Sequence, residues 1–278
     1  MAIFPLVYAA LFLLVAWKLG GTPTLDPFVH GQRILVRLLA LAGCFLAASG
    51  FERGDHLRRA WLWLGLGAIG ILLRDGLQFL PPFEPMSGYI SAALGVLANL
   101  ALLAGIWTLA RSWKMVAVET PGGTAGLVAV AVITALLALT VVGLGIKSQL
   151  QLSRGDLGSL VFLVSALVDV ISLCLITPLL LTAVSLRGGL FSWPWGLITA
   201  SQVCWLLYDG ASGLTPLLAI GGFPLAETFR GTACNYLFVA GLAQLLVIQH
   251  VRRMEGRGAP PPQATSTTLP PRPGMSAG

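Results

Sequence analysis

Long apolar stretches recur along this chain, near 3–18, 34–50, 60–75, 89–110, 124–146, 158–185, 194–213 and 224–250. About twenty helical residues at 1.5 Å each cross a hydrocarbon core of roughly 30 Å, so repetition on this scale admits few folds. Only 10% of the residues are charged, against about 25% in an ordinary soluble domain, and the mean hydropathy is +0.85. The pattern predicts an all-α membrane protein with about eight transmembrane helices, embedded in a lipid bilayer. Polar interruptions in 158–185 and 224–250 leave seven or nine spans open.

The first stretch begins "MAIFP", without basic residues and without a small-x-small cleavage site before "WKLGG". It reads as a retained helix rather than a signal peptide. Cys44, Cys174, Cys204 and Cys234 fall inside apolar segments and form no C-x-x-C, as buried small hydrophobes do. The three histidines lie at segment ends, which does not match paired axial haem ligation. No His, Cys and carboxylate group has metal-ligand spacing, so neither metal nor cofactor is expected.

The net charge of +6 follows topology rather than nucleic-acid binding. With eight spans, the loops on the side of the termini carry Arg53, Arg58, Arg59, Arg111, Lys114 and Arg187, and the last helix ends in Arg252 and Arg253. The opposite loops hold fewer basic residues. The positive-inside rule then places both termini in the cytoplasm and the protein in the inner membrane. Residues 255–278, rich in Pro, Ser, Thr and Gly, read as a disordered cytoplasmic tail.

Residues 53–82 align without gaps on 187–216. Nine of thirty positions are identical, among them Trp61/Trp195, Asp75/Asp209, Gly76/Gly210 and Pro82/Pro216. The next segment repeats at a slightly larger offset, Gly95, Asn99 and Gly105 facing Gly231, Asn235 and Gly241. The chain therefore divides into two tandem four-helix halves, 1–122 and 123–254. An even number of spans per half gives them parallel topology, about an axis along the membrane normal.

The repeated Asp-Gly has two readings. Gly76 and Gly210 can take the left-handed cap position, which would end each helix near the surface and let the aspartate reach water. An aspartate at a helix C-terminus, however, meets the negative end of the dipole, so a cationic partner is expected for each. Arg33 or Arg37 is the candidate for Asp75, and Arg230, at matching depth, the candidate for Asp209.

Ionisable groups inside apolar segments are costly and default to functional sites. Asp169, central in "LVFLVSALVDVISLCL" with Ser165 and Ser172 on its face, must face the bundle interior. With Arg74 and Asp75, Arg37, Gln202 and Asp209 on one stripe, and Glu227 and Arg230 three apart on one face, it forms the candidate ligand-binding or charge network. Asn99 and Asn235, among small residues, predict close packing with interhelical hydrogen bonds. Phosphate loops and acyl-transfer constellations are not found in the sequence.

The stretch "PLLLTAVSLRGGLFSWPWGLITASQVCWLLYDG" resembles the multi-pass membrane input regions of bacterial histidine kinases and diguanylate cyclases, in its Arg-Gly-Gly hinge, tryptophan-bearing helix and closing Asp. The resemblance implies a sensor or regulatory subunit. In this sequence no kinase or cyclase domain follows Met254, so its output would pass to a protein partner at the cytoplasmic face. Three function classes remain open. The first is that sensor, with a charged pocket toward the periplasmic side for a small-molecule or lipid ligand. The second is a small-solute or ion transporter using the interface of the halves. The third is an intramembrane enzyme that protonates a lipid with paired carboxylates, Asp75 with Asp209 or Asp209 with Asp169.

Overall fold

The computed structural model describes residues 3–77, 86–112, 123–152, 157–185, 192–218 and 225–258. Each apolar stretch becomes a helix: α1 (Ile3–Leu19), α2 (Leu25–Gly50), α3 (His56–Gly76), α4 (Met86–Ser112), α5 (Gly123–Leu152), α6 (Leu157–Ser185), α7 (Ser192–Leu218) and α8 (Leu225–Gly258). No strand occurs among the described residues. The Pro-rich tail beyond 258 and the loops 113–122 and 186–191 lie outside them, including Lys114 and Arg187.

Three of the helical segments are long and apolar enough to cross a membrane: Leu25–Gly50, Gly88–Ser112 and Leu225–Met254. Ile3–Leu19, Val128–Thr140 and Leu163–Thr177 are apolar but shorter. In α3, Arg58 and Arg59 near one end and Arg74 and Asp75 near the other shorten the apolar part. The surface agrees with a lipid environment, since Trp17 is 72% exposed and Leu137 65%. Most long apolar side chains on α1 and α5 point outward, Phe12 excepted, while Ala16 and Ala138 turn inward. A water-facing surface avoids large contiguous apolar patches.

Six helices close a ring in the order α2, α3, α4, α6, α7, α8 and back to α2. The first helix packs outside the ring on α8 and α2, and α5 packs outside it on α6 and α7. The main core lies within this ring, where Trp61, Leu64, Ile106, Leu109, Ile176 and Ile198 are fully enclosed. At the α2–α3 turn Gly54 takes φ +103. Asp55 then caps α3 by accepting a 2.8 Å hydrogen bond from the Leu57 amide.

The Asp-Gly pairs do not end their helices. The third helix runs through Gly76, which lacks a positive φ, and α7 continues past Gly210 to Leu218. Asp75 and Asp209 are buried at 5% and 2% exposure rather than reaching water. Interior partners hold them there, and an aspartate with such a partner has no need of a helix end.

Glycine sets how closely the ring closes. A Cβ on Gly43 of α2 would lie 2.6 Å from the Phe238 Cα of α8, and one on Gly241 would collide with the Gly43 backbone. Backbone meets backbone here, so no side chain can move aside, as in small-residue crossings of membrane helices generally. On α3 and α4, Gly67, Gly70 and Gly105 are similarly filled by neighbours. Gly43→Ala is therefore expected to cost about 1–3 kcal/mol through overpacking. Gly143→Ala, where nothing lies within 4 Å of the added carbon, serves as the neutral control. Thermal unfolding of the detergent-solubilised protein, followed by size-exclusion chromatography, checks the difference; equal midpoints for the two variants would remove the tight α2–α8 crossing.

Candidate functional site

The ring encloses a polar cavity of about 190 Å³. Every ring helix contributes to it: Arg33 and Arg37 from α2, Arg74 and Asp75 from α3, Asn99 from α4, Ser165 and Asp169 from α6, Gln202 and Trp205 from α7, and Glu227 and Arg230 from α8. Seven of the eight network residues read from the sequence thus line one cavity, Asp209 standing behind Asp169. Periodicity explains the convergence. Arg33 and Arg37 are four apart on α2, as are Ser165 and Asp169 on α6, and each pair therefore presents to one face of its helix.

Arg37, 5% exposed, is ion-paired with Asp75 and donates from Nη1 to the Ile71 carbonyl at 2.9 Å. This clasp ties α2 to α3, and Arg37 is one of the two partners expected for Asp75, the other, Arg33, going to Glu227. Glu227 accepts from two arginines. Arg33 reaches it with Nη2 at 2.7 Å and Nε at 3.3 Å, and Arg230 pairs with it one turn along α8. Arg230 also sits over the Tyr208 ring, 5.4 Å from its centroid, a cation–π geometry.

The expected Arg230–Asp209 pair does not form. Asp209 instead hydrogen-bonds Asp169 of α6, and Ser165 bonds the Asp209 carboxyl. Matching depth placed Arg230 and Asp209 at one level, but Glu227 lies on Arg230's own face and captures it first. The two carboxyl groups therefore face each other across the α6–α7 contact. One oxygen of each carboxyl, Oδ2, has no hydrogen-bond partner. Of the two carboxylate pairs weighed for an enzyme, Asp209 with Asp169 is adjacent, whereas Asp75 is committed to Arg37.

Asn99 and Asn235 depart from expectation in the same way. Each donates to a carbonyl four residues back on its own helix, Gly95 at 3.0 Å and Gly231 at 2.9 Å, rather than across helices. The packing around them is nonetheless tight: a Cβ on Gly231 would collide with the Tyr8 hydroxyl and lie 2.6 Å from Gln32 Nε2. Arg33 and Tyr208 joined the site without having been counted in the network. The four-residue spacing to Arg37 signals Arg33, whereas nothing in the local sequence signals Tyr208.

Among the described residues no group of three His, Cys, Asp or Glu is placed to hold a metal ion. No family model matches the chain, and no curated protein or solved structure matches it either. The likeness of 178–210 to sensor input regions accordingly transfers no residue role.

Removing one partner from a buried ion pair leaves an uncompensated charge and costs about 3–5 kcal/mol. Arg37→Met should lower stability by that order, while Arg37→Met with Asp75→Leu restores most of it. Denaturant unfolding of the three proteins checks this, and a single variant as stable as the parent would rule out the clasp.

Proposed function

We propose that all eight helices cross the membrane as two four-helix halves of parallel topology, and that the bundle is a carrier for a small polar solute. The observation that carries the reading is a polar cavity enclosed by three helices from each half, at the place where two-repeat transporters hold their substrates. Supporting the repeat, α2 meets α8 as α6 meets α4, and Asn99 and Asn235 make the same bond to matched glycines. The outer helices depart from the symmetry, α1 resting on α8 but α5 on α7. Rocking of one half against the other would open such a cavity to each side in turn.

The sensor remains the second reading because of one surface. Arg252 donates to the Gly50 carbonyl at 2.7 Å, which brings the end of α8 to the α2–α3 turn. Arg53, Arg59 and Arg253 are exposed at that same end. By the positive-inside rule this end is cytoplasmic, with both termini, in an inner membrane, and it would suit an acidic partner protein.

Accessibility separates the two without knowledge of the solute. Gln202→Cys, in a background whose four native cysteines are replaced, places a thiol on the cavity wall. A carrier exposes that thiol to a membrane-impermeant methanethiosulfonate reagent added from either side of oriented vesicles. Labelling confined to one side, or absent from both, overturns the carrier and leaves the sensor.

A further inference from the structure

We infer that the cavity takes a small organic monoanion, its carboxylate or phosphate held by Arg74. The inference rests on reading the cavity as a solute site, and it identifies the chemistry that fits there.

Charge carries the argument. Four guanidinium groups face the cavity, those of Arg33, Arg37, Arg74 and Arg230. Glu227 serves two of them and Asp75 serves one. Arg74 has no ion pair or hydrogen bond among the described residues, and its Nε is buried without an acceptor. Asp169 is the third carboxyl on the wall, so four guanidinium groups face three carboxyl groups. At least one positive charge is left over on the cavity wall, and a part-buried arginine without a counter-ion favours an anion beside it. A bound monoanion neutralises it, and a guanidinium fork matches a carboxylate or phosphate. Gly95 leaves room for this arginine, since a Cβ there would lie 3.4 Å from Arg74 Nη1. A cation would meet the same surplus as repulsion.

Size and polarity narrow the ligand further. A dry cavity of roughly 150 Å³ accommodates benzene, so about 190 Å³ admits a molecule only modestly larger. A side pocket of about 20 Å³ adjoins it, sharing Arg37, Ile71 and Trp205 and continuing to Ala68 and Leu237. It offers an apolar recess beside the charged wall. The fitting ligand therefore has an anionic head and a small body of which the recess takes no more than a methyl-sized part, whether a free acid or the end of an anionic lipid.

The test uses the full-length protein in phosphatidylcholine nanodiscs, with binding of benzoate, benzamide and benzylamine followed by isothermal titration calorimetry. Benzoate is expected to bind and the neutral and cationic analogues not to. Arg74→Gln should weaken benzoate about ten- to a hundredfold, with Arg74→Lys falling between. Size-exclusion profiles and helical circular dichroism must match the parent in both variants. Equal binding of benzamide or benzylamine, undiminished binding to a folded Arg74→Gln protein, or no benzoate binding at all overturns the inference. Added phosphatidylglycerol that competes with benzoate marks a lipid headgroup as the natural anion, and absence of competition marks a free acid. Arg74-dependent binding in a protein whose Gln202→Cys thiol labels from one side only would defeat the carrier and leave the anion site standing.

Discussion

Charge inside an apolar bundle must find its counter-charge inside the same bundle, and the architecture of this protein depends on that constraint. Water cannot reach in to solvate an isolated ion, and a carboxylate mid-helix costs about 2.5–3.5 kcal/mol even on insertion scales. Each buried ionisable group therefore fixes the rotation of its helix. Arg37 and Asp75 set α2 against α3. Arg33 reaching Glu227 sets α2 against α8, and Asp169 with Asp209 sets α6 against α7. The hydrophobic effect does not discriminate among these rotations in lipid, because leucine is as much at home against an acyl chain as against another helix. The polar contacts select them.

Small residues make that selection possible. Ion pairs formed between side chains require the helix axes to approach, and the α2–α8 crossing at Gly43 and Gly241 brings two backbones into direct contact. Arg33 and Glu227 then lie within one hydrogen bond of each other further along the same two helices. The ring closes tightly where glycine permits it and stays open at the arginines, whose bulk and mutual repulsion hold the cavity apart.

How much of this could be read in the sequence differs by kind of contact. The eight helices follow from apolar run length, and the network residues follow from the cost of burying charge, which singles them out whatever their partners. Asp75 and Arg37 were legible as partners because few cations lie at that depth. Arg230 was not, because depth fixes the level of a residue and leaves its direction around the bundle undetermined, and Glu227 one turn away was the nearer carboxylate. Asp-Gly misled for a related reason. Glycine after aspartate is a helix stop when the aspartate is solvated, but Asp75 and Asp209 are held by interior partners, so the helices run on. The asparagines point the same way, since an amide surrounded by glycine can reach its own backbone, and sequence does not distinguish that bond from one across helices.

The two matched aspartates meet unlike partners, and under the two-repeat reading this difference is where the halves diverge in role. Asp75 on α3 faces a cation from the preceding helix, Arg37. Asp209 on α7 faces an acid from the preceding helix, Asp169. The first arrangement is charge-neutral and self-contained, with Arg37 further anchored to the Ile71 carbonyl. The second sets two carboxyl groups against each other, and Asp169 opens onto the cavity while keeping an unpartnered oxygen. If the second half had also used an arginine against its aspartate, the cavity would hold a still larger surplus of cations. If the first half had used an acid pair, the surplus would vanish. A fixed clasp in one half and an acid pair in the other leave the cavity wall with four guanidinium groups against three carboxyl groups.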